Sequence, residues 1–236
     1  MLLADRPPVM NGRPEYRLFI LGDSISLGYG PYLEQMLAGR FQCDRKGSEL
    51  LSPDQREQNI LQRLGALASS IPDLNGGDSA QVLDYLRKRG PLINADSTLL
   101  LLNCGLHDVR VDAGSGTYQV EAGDYARNLE EIIRLARAAA RWVVWVNTTP
   151  VCDEHHNRLS PGYLRFNRDV NIYNDIAGEQ MRAAGIPVID LNRFTSSIST
   201  TGRLEDLLVD HVHFSEPVRK LQAAFLAGWI EAYCHD

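Results

Sequence analysis

The sequence predicts a three-layer α/β/α sandwich built on a parallel sheet of about five strands. Three observations carry this. Apolar runs rich in Leu or β-branched residues recur without polar alternation, "RLFILG" (17–22), "TLLLLNC" (98–104) and "WVVWVNT" (142–148), as strands buried on both faces read. Segments with apolar residues at three-and-four spacing, the mark of one buried helix face, lie between them. Finally, 236 residues at 44% hydrophobic content suffice for one sheet covered on both sides, so a single domain over 1–236 is expected.

In chain order, the run at 17–22 is the first strand and "FQCDR" (41–45) a short second. Val82, Leu83 and Leu86 mark a helix before the run at 98–104. Leu129, Ile132, Ile133 and Ala136 mark another before the run at 142–148. Between that run and "IPVIDL" (186–191), Val170, Tyr173 and Ala177 mark a third, and a helix from about 216 to 232 closes the series. Such alternation with right-handed crossovers gives a doubly wound sheet, whose ligands sit outside the carboxyl ends of the strands. Residues 48–76 exceed the usual connection of about 2–6 residues. Ile60, Leu61, Leu64 and Leu67 have amphipathic spacing there, so the segment reads as an insertion: a lid, an oligomer contact or a helix packed on the body.

The formal net charge of -6 is spread along the chain and leaves no basic stripe, so neither nucleic acid nor an anionic membrane is an expected partner. Charges and prolines interrupt the N-terminal "MLLADRPPVMNGRPEYR", and no apolar run reaches about eighteen residues. A cytoplasmic protein without membrane insertion is expected, and a homo-oligomer is open. Cys43, Cys104, Cys152 and Cys234 lack CxxC spacing and read as packed thiols rather than metal ligands or disulfides.

The residues just past the strands carry the chemistry. Gly22-Asp23-Ser24-Ile25 follows the first run, Asn103-Cys104-Gly105-Leu106-His107-Asp108 the second long one, and Asp210-His211-Val212-His213 precedes the last helix. Ser, Asp and His at one end of a sheet form the inventory of acyl transfer, because a hydroxyl needs an imidazole to take its proton and a carboxylate to orient the ring. Residues three apart can lie side by side over one turn, so Asp210 can accept from one ring nitrogen of His213 while the other faces Ser24. A capped turn before a helix, with Ser215 as cap and Pro217 in the first turn, explains the same spacing structurally. Ser26 stands where a G-x-S-x-G elbow needs its second glycine, which disfavours the ordinary α/β-hydrolase.

These blocks resemble the GDSL, or SGNH, hydrolase family over nearly the whole chain. Gly22-Asp23-Ser24-Ile25 is similar to its first block, with Ile for the usual Leu. Asp210-His211-Val212-His213 is similar to its last, and "NGGDSAQVL" to its second, which selects Gly77 as the oxyanion glycine with Gly47 as the alternative. The third block departs: Gly105-Leu106-His107-Asp108 carries His107 where the family has Asn. The resemblance implies a flavodoxin-like parallel sheet, the SGNH hydrolase fold. It also implies a serine esterase with Ser24 as nucleophile, His213 as base, Asp210 as orienting acid, and Ser24, Gly77 and His107 around the oxyanion. An imidazole N–H donates as an amide does, so the His107 role can survive the exchange.

Asp23, Asn103, Asn147 and Thr148 are candidate substrate contacts at strand ends, with Tyr29 and Tyr32 behind them. No cofactor and no metal are expected. Short-chain or O-acetyl esters are the expected substrates, with lysophospholipids and thioesters as alternatives within the family. A non-catalytic flavodoxin-like binding protein is the rival from another class, although no G-x-G-x-x-G or P-loop is present. A metal hydrolase using Asp210, His211 and His213, or Cys152, Asp153, His155 and His156, is a third reading. For the second of these clusters, "CDEHHNR" reads more simply as a solvated polar loop.

Overall fold

The computed structural model describes residues 16–47, 54, 74–93, 95–160, 162–199 and 202–235. Its strands and helices are β1 (Tyr16–Leu21), α1 (Ser24–Met36), β2 (Phe41–Arg45), α2 (Ser79–Arg89), β3 (Thr98–Leu102), β4 (Val111–Asp112), α3 (Ala122–Ala139), β5 (Trp142–Val146), α4 (Asp153–Leu159), β6 (Tyr163–Leu164), α5 (Asn167–Ala183), β7 (Val188–Ile189), α6 (Leu191–Ile198) and α7 (Glu216–His235). The expected five-stranded parallel sheet is present, in the order β2-β1-β3-β5-β7. Every residue of β3 and β5 is buried, as their unbroken apolar runs require.

The helices form two outer layers. On one side α1 packs on α7, and α7 on α6; on the other α2 packs on α3, and α3 on α5. The spacing read from the sequence is the buried face of each: Val82, Leu83 and Leu86 in α2, Leu129, Ile132 and Ala136 in α3, and Val170, Tyr173 and Ala177 in α5. Helix α2 starts where a reciprocal cap starts it, with the Gln81 N–H donating to Asp78 Oδ1 at 2.9 Å and the Asp78 N–H to Gln81 Oε1 at 3.3 Å.

The strand order reverses beside β1: the chain goes to β2 on one side and then crosses to β3 on the other. Such a switch point leaves a crevice past the carboxyl ends of β1 and β3, where Ser24 and the 103–108 loop lie. The helix expected around Ile60 to Leu67 lies outside the described residues. Among those described, no helix is long and apolar enough to cross a membrane.

The reading of "CDEHHNR" as a solvated loop is corrected. Residues 153–159 form α4, and His156 is fully buried. Tertiary contacts hold this turn where sequence showed only polar residues: the Asn167 N–H donates to Asp153 Oδ1 at 2.7 Å, and the His156 ring lies against those of Tyr163 and His211. The β4–β6 pair, antiparallel through Val111 and Leu164, was also not foreseen, since two-residue strands leave no pattern.

Candidate active site

β1 stops at Gly22, and Asp23 turns the chain with extended backbone angles into α1. The cap is therefore Asp23, whose Oδ1 accepts from the Ile25 N–H at 2.9 Å, and Ser24 is the first helical residue. Asp23 is almost wholly buried. Burial pushes its carboxyl above the usual range, opposed by the Ile25 N–H and by the field of Arg165. The Ser26 hydroxyl donates to the Asp23 carbonyl at 2.7 Å, and buried Arg45 of β2 donates to Ser26 Oγ at 3.0 Å. The first turn of α1 is thereby tied to the neighbouring strand.

Across the crevice, the loop before α7 presents the imidazole and carboxylate. His213 Nε2 lies 2.9 Å from Ser24 Oγ, and His213 Nδ1 lies 2.7 Å from Asp210 Oδ2. The other carboxylate oxygen of Asp210 accepts from the backbone N–H groups of Val212 and His213 at 2.8 and 2.7 Å. Burial works to raise the Asp210 carboxyl. The His213 ring, these two N–H groups and the imidazole charge outweigh it and hold the carboxyl well below the usual range. Asp210 is thus an anion that fixes His213 Nδ1 as the N–H and leaves Nε2 to face the hydroxyl.

Helix α4 supports this loop from beneath. His155 donates from Nε2 to the Asp210 carbonyl at 3.0 Å, and His156 donates from Nδ1 to the His211 carbonyl at 3.1 Å. Burial and then the Arg165 charge lower the His156 pKa to about 4, so its ring is a neutral donor. These two histidines, weighed from sequence as metal ligands, clamp the backbone that carries Asp210 and His213. Among the described residues, no group of three or more His, Cys, Asp or Glu is arranged to hold a metal ion.

The loop after β3 closes the other side. The Asn103 amide donates to the Val146 carbonyl at 2.8 Å and joins the ends of β3 and β5. Fully buried Asp108 reaches α2 and accepts from the Ser79 N–H at 2.9 and 3.1 Å. His107, between them and part-exposed, is held neutral. Burial lowers its pKa to about 2, helped by the Arg110, Arg165 and His213 charges. Arg165, 1% exposed, anchors this loop by donating from Nε to the Leu106 carbonyl at 2.7 Å. Its guanidinium and that of Arg110 lie 5.0 and 4.6 Å from the centre of the Tyr163 ring. A buried Arg is invisible to a pattern reading, which treats charge as surface.

Gly77 lies in the turn before α2, next to Gly76, whose N–H donates to the Gly22 carbonyl at 2.7 Å. Its φ of +76° is left-handed, and a Cβ would stand 1.5 Å from Gln81 Oε1, so glycine is required. The Gly77 N–H donates to Asn75 Oδ1 at 2.9 Å. Gly47, the alternative, also has positive φ, +83°, after β2.

The remaining strand-end candidates bind strands together. Asn147 donates to Asp190 Oδ1 at 2.8 Å and accepts from the Asn192 N–H at 2.9 Å; Thr148 Oγ1 donates to the Cys104 carbonyl at 3.3 Å. Asp23, Tyr29, Asn103 and Asn147 share a small polar cavity with Thr149. Tyr32 is buried in the core. A separate cleft, enclosing about 270 Å³ and open to solvent, is lined by Ser24 and His213 together with Ile25, Gly28, Phe214, Arg219 and Gln222.

Comparison with known proteins agrees with this frame. The chain superposes on a lipase/acylhydrolase from Enterococcus faecalis with a TM-score of 0.63 at 16% identity, covering 92% of this chain and 96% of that one. An acetylxylan esterase from Geobacillus stearothermophilus gives 0.62 at 14%, covering 93% and 95%. A search of curated protein sequences returned no match. The sequence profile of the GDSL-like lipase/acylhydrolase family matches residues 20–219, from the end of β1 into the first turn of α7. With that match across most of its length, the chain belongs to the GDSL-like lipase/acylhydrolase family and is a hydrolase of ester bonds.

Proposed function

We propose that the protein is a serine esterase that transfers the acyl group of a short-chain or O-acetyl ester to Ser24 and then to water. The observation that carries this reading is the unbroken series Ser24 Oγ, His213 ring, Asp210 carboxylate, with contacts of 2.9 and 2.7 Å. His213 Nε2 takes the hydroxyl proton as Oγ attacks the ester carbonyl, and Asp210 stabilises the imidazolium that forms. The carbonyl oxygen, now negative, is met by the Ser24 N–H, the neutral His107 ring N–H and the Gly77 N–H released from Asn75. His213 gives its proton to the departing alkoxide. In the second half water takes the alcohol's place, His213 accepts its proton, and collapse of the intermediate frees the carboxylic acid and Ser24.

An O-acetyl ester as substrate is in line with the like fold of a protein named an acetylxylan esterase. The test is turnover of p-nitrophenyl acetate by wild type and Ser24→Ala. Loss of several orders of magnitude, with fluorophosphonate labelling of wild type at Ser24, is expected; equal activity of the two proteins sinks the assignment.

A further inference from the structure

We propose that the cleft between α1 and α7 receives the alcohol portion of the ester, and that this portion carries a carboxylate held by Arg219. The inference rests on the esterase reading of Ser24 and His213. Proton chemistry gives the side. The departing alkoxide takes its proton from His213 Nε2 and must lie within hydrogen-bond reach of it. The cleft is shared by Ser24 and His213, whereas Gly77 and His107, the proposed oxyanion donors, do not line it.

The lining supplies the charge. Arg219 lies in the first turn of α7, against bare backbone of α1: a Cβ on Gly28 would stand 2.9 Å from Arg219 Cδ. Gly28 therefore makes the room that lets the arginine lie beside the nucleophile's helix. Arg219 Nε is buried with no hydrogen-bond partner among the described residues. Glu216, the carboxylate that shares its field, is bound at 2.8 Å by Lys220 Nζ. Close by, Gln222 is fully buried and lines the same cleft. Its amide nitrogen donates to Thr195 Oγ1 at 3.1 Å, while its Oε1 has no partner. Ile25, Gly28 and Phe214 complete the lining without a polar side chain, and no carboxylate belongs to it.

The buried Nε–H of this half-buried guanidinium, without an acceptor, costs free energy, and a neutral apolar alcohol leaves that cost in place. A carboxylate on the alcohol removes it through a charge-assisted hydrogen bond and pairs with the guanidinium. Turning the Gln222 amide over lets the Thr195 hydroxyl donate to Oε1 and presents the NH₂ group to the same anion. Selection of this kind is strong because the unmet group is the enzyme's own.

The experiment compares kcat/KM for 3-acetoxybenzoate and for its neutral methyl ester, in wild type, Arg219→Met, Arg219→Gln and Arg219→Lys, each checked for native circular dichroism. Every protein sees the same two esters, so their intrinsic reactivities cancel in the comparison. The ratio of anionic to neutral ester should be about 10–100-fold higher in wild type than in R219M or R219Q. R219K should fall between them, and the wild-type ratio should decline with added salt. A ratio unchanged by either neutral substitution overturns the proposal. A preference for 4-nitrophenyl hemiglutarate over the butyrate, lost in R219M, puts the anion on the acyl side and overturns it as well. Equal turnover of the neutral ester by wild type and Ser24→Ala would instead overturn the esterase reading, so the two failures are distinguishable.

Discussion

His213 Nε2 and Ser24 Oγ, 189 positions apart in the chain, lie 2.9 Å from one another across the crevice past β1. The contact has catalytic value only if the ring keeps its proton on Nδ1, and Asp210 Oδ2 at 2.7 Å is what keeps it there. Asp210→Asn presents an amide that can donate to Nδ1 and reverse the tautomer. With the backbone N–H groups of Val212 and His213 still bonded to the remaining oxygen, the fold should survive. A fall in kcat of about 10⁴ on p-nitrophenyl acetate, with thermal stability little changed, is expected.

The second prediction concerns the residue that departs from the family pattern. Burial lowers the His107 pKa to about 2, so in the proposed oxyanion role its ring would be a neutral N–H donor that adds no charge beside His213. His107→Ala should lower kcat by about 10²–10³ with KM little affected, the loss of one oxyanion donor. His107→Asn restores a donor at that position and should recover most of the activity. The pH profiles of wild type and H107N should coincide, since His107 does not titrate where the enzyme is assayed.

What was legible in the sequence divides along burial. β3 and β5 are buried from end to end, so "TLLLL" and "WVVWV" could only be central strands. Ser24, Asp210 and His213 were legible because the strand-end rule and the i, i+3 spacing act locally. The supports were not. His155 and His156 reach the 210–213 loop across 55 positions, and Arg165 reaches Leu106 across 59. No local pattern encodes a polar side chain whose partner is a distant backbone carbonyl. Asn147 and Thr148, candidate substrate contacts at a strand end, are hydrogen-bonded in the fold to Asp190, Asn192 and Cys104, partners that no local pattern names.

Arg165 is the support most open to test. Removing it strands the Leu106 carbonyl, takes one of two guanidinium groups from the Tyr163 ring, and removes the larger of the positive fields on buried Asp23. Arg165→Met should cost about 2–4 kcal/mol, through an unmet buried acceptor and a less compensated buried acid. At about 2–4 °C per kcal/mol for a chain of this size, melting should fall by roughly 5–15 °C. Arg165→Lys retains a charge without the planar stack or the Nε donor, and should recover only part of this. Thermal melts with p-nitrophenyl acetate turnover at a temperature where all three proteins are folded would check it.

The last prediction is a pH dependence of stability set by Asp108. This carboxyl is fully buried at the start of α2, and burial raises its pKa to about 7 despite hydrogen bonds from Ser79. Its unfolded value lies near the ordinary carboxylate pKa, so between about pH 4 and pH 7 the folded protein holds a proton that the unfolded chain has released. The contribution is therefore greatest below about pH 4, and is lost as pH rises through about 7. Asp108→Asn, which keeps an acceptor for the Ser79 N–H and cannot ionise, removes the dependence. The unfolding free energy of wild type relative to D108N should fall by roughly 2–3 kcal/mol between pH 5 and pH 8. Urea titrations of both proteins at the two pH values measure it; a difference that stays constant, or grows in favour of wild type at pH 8, would refute the buried-acid account of Asp108.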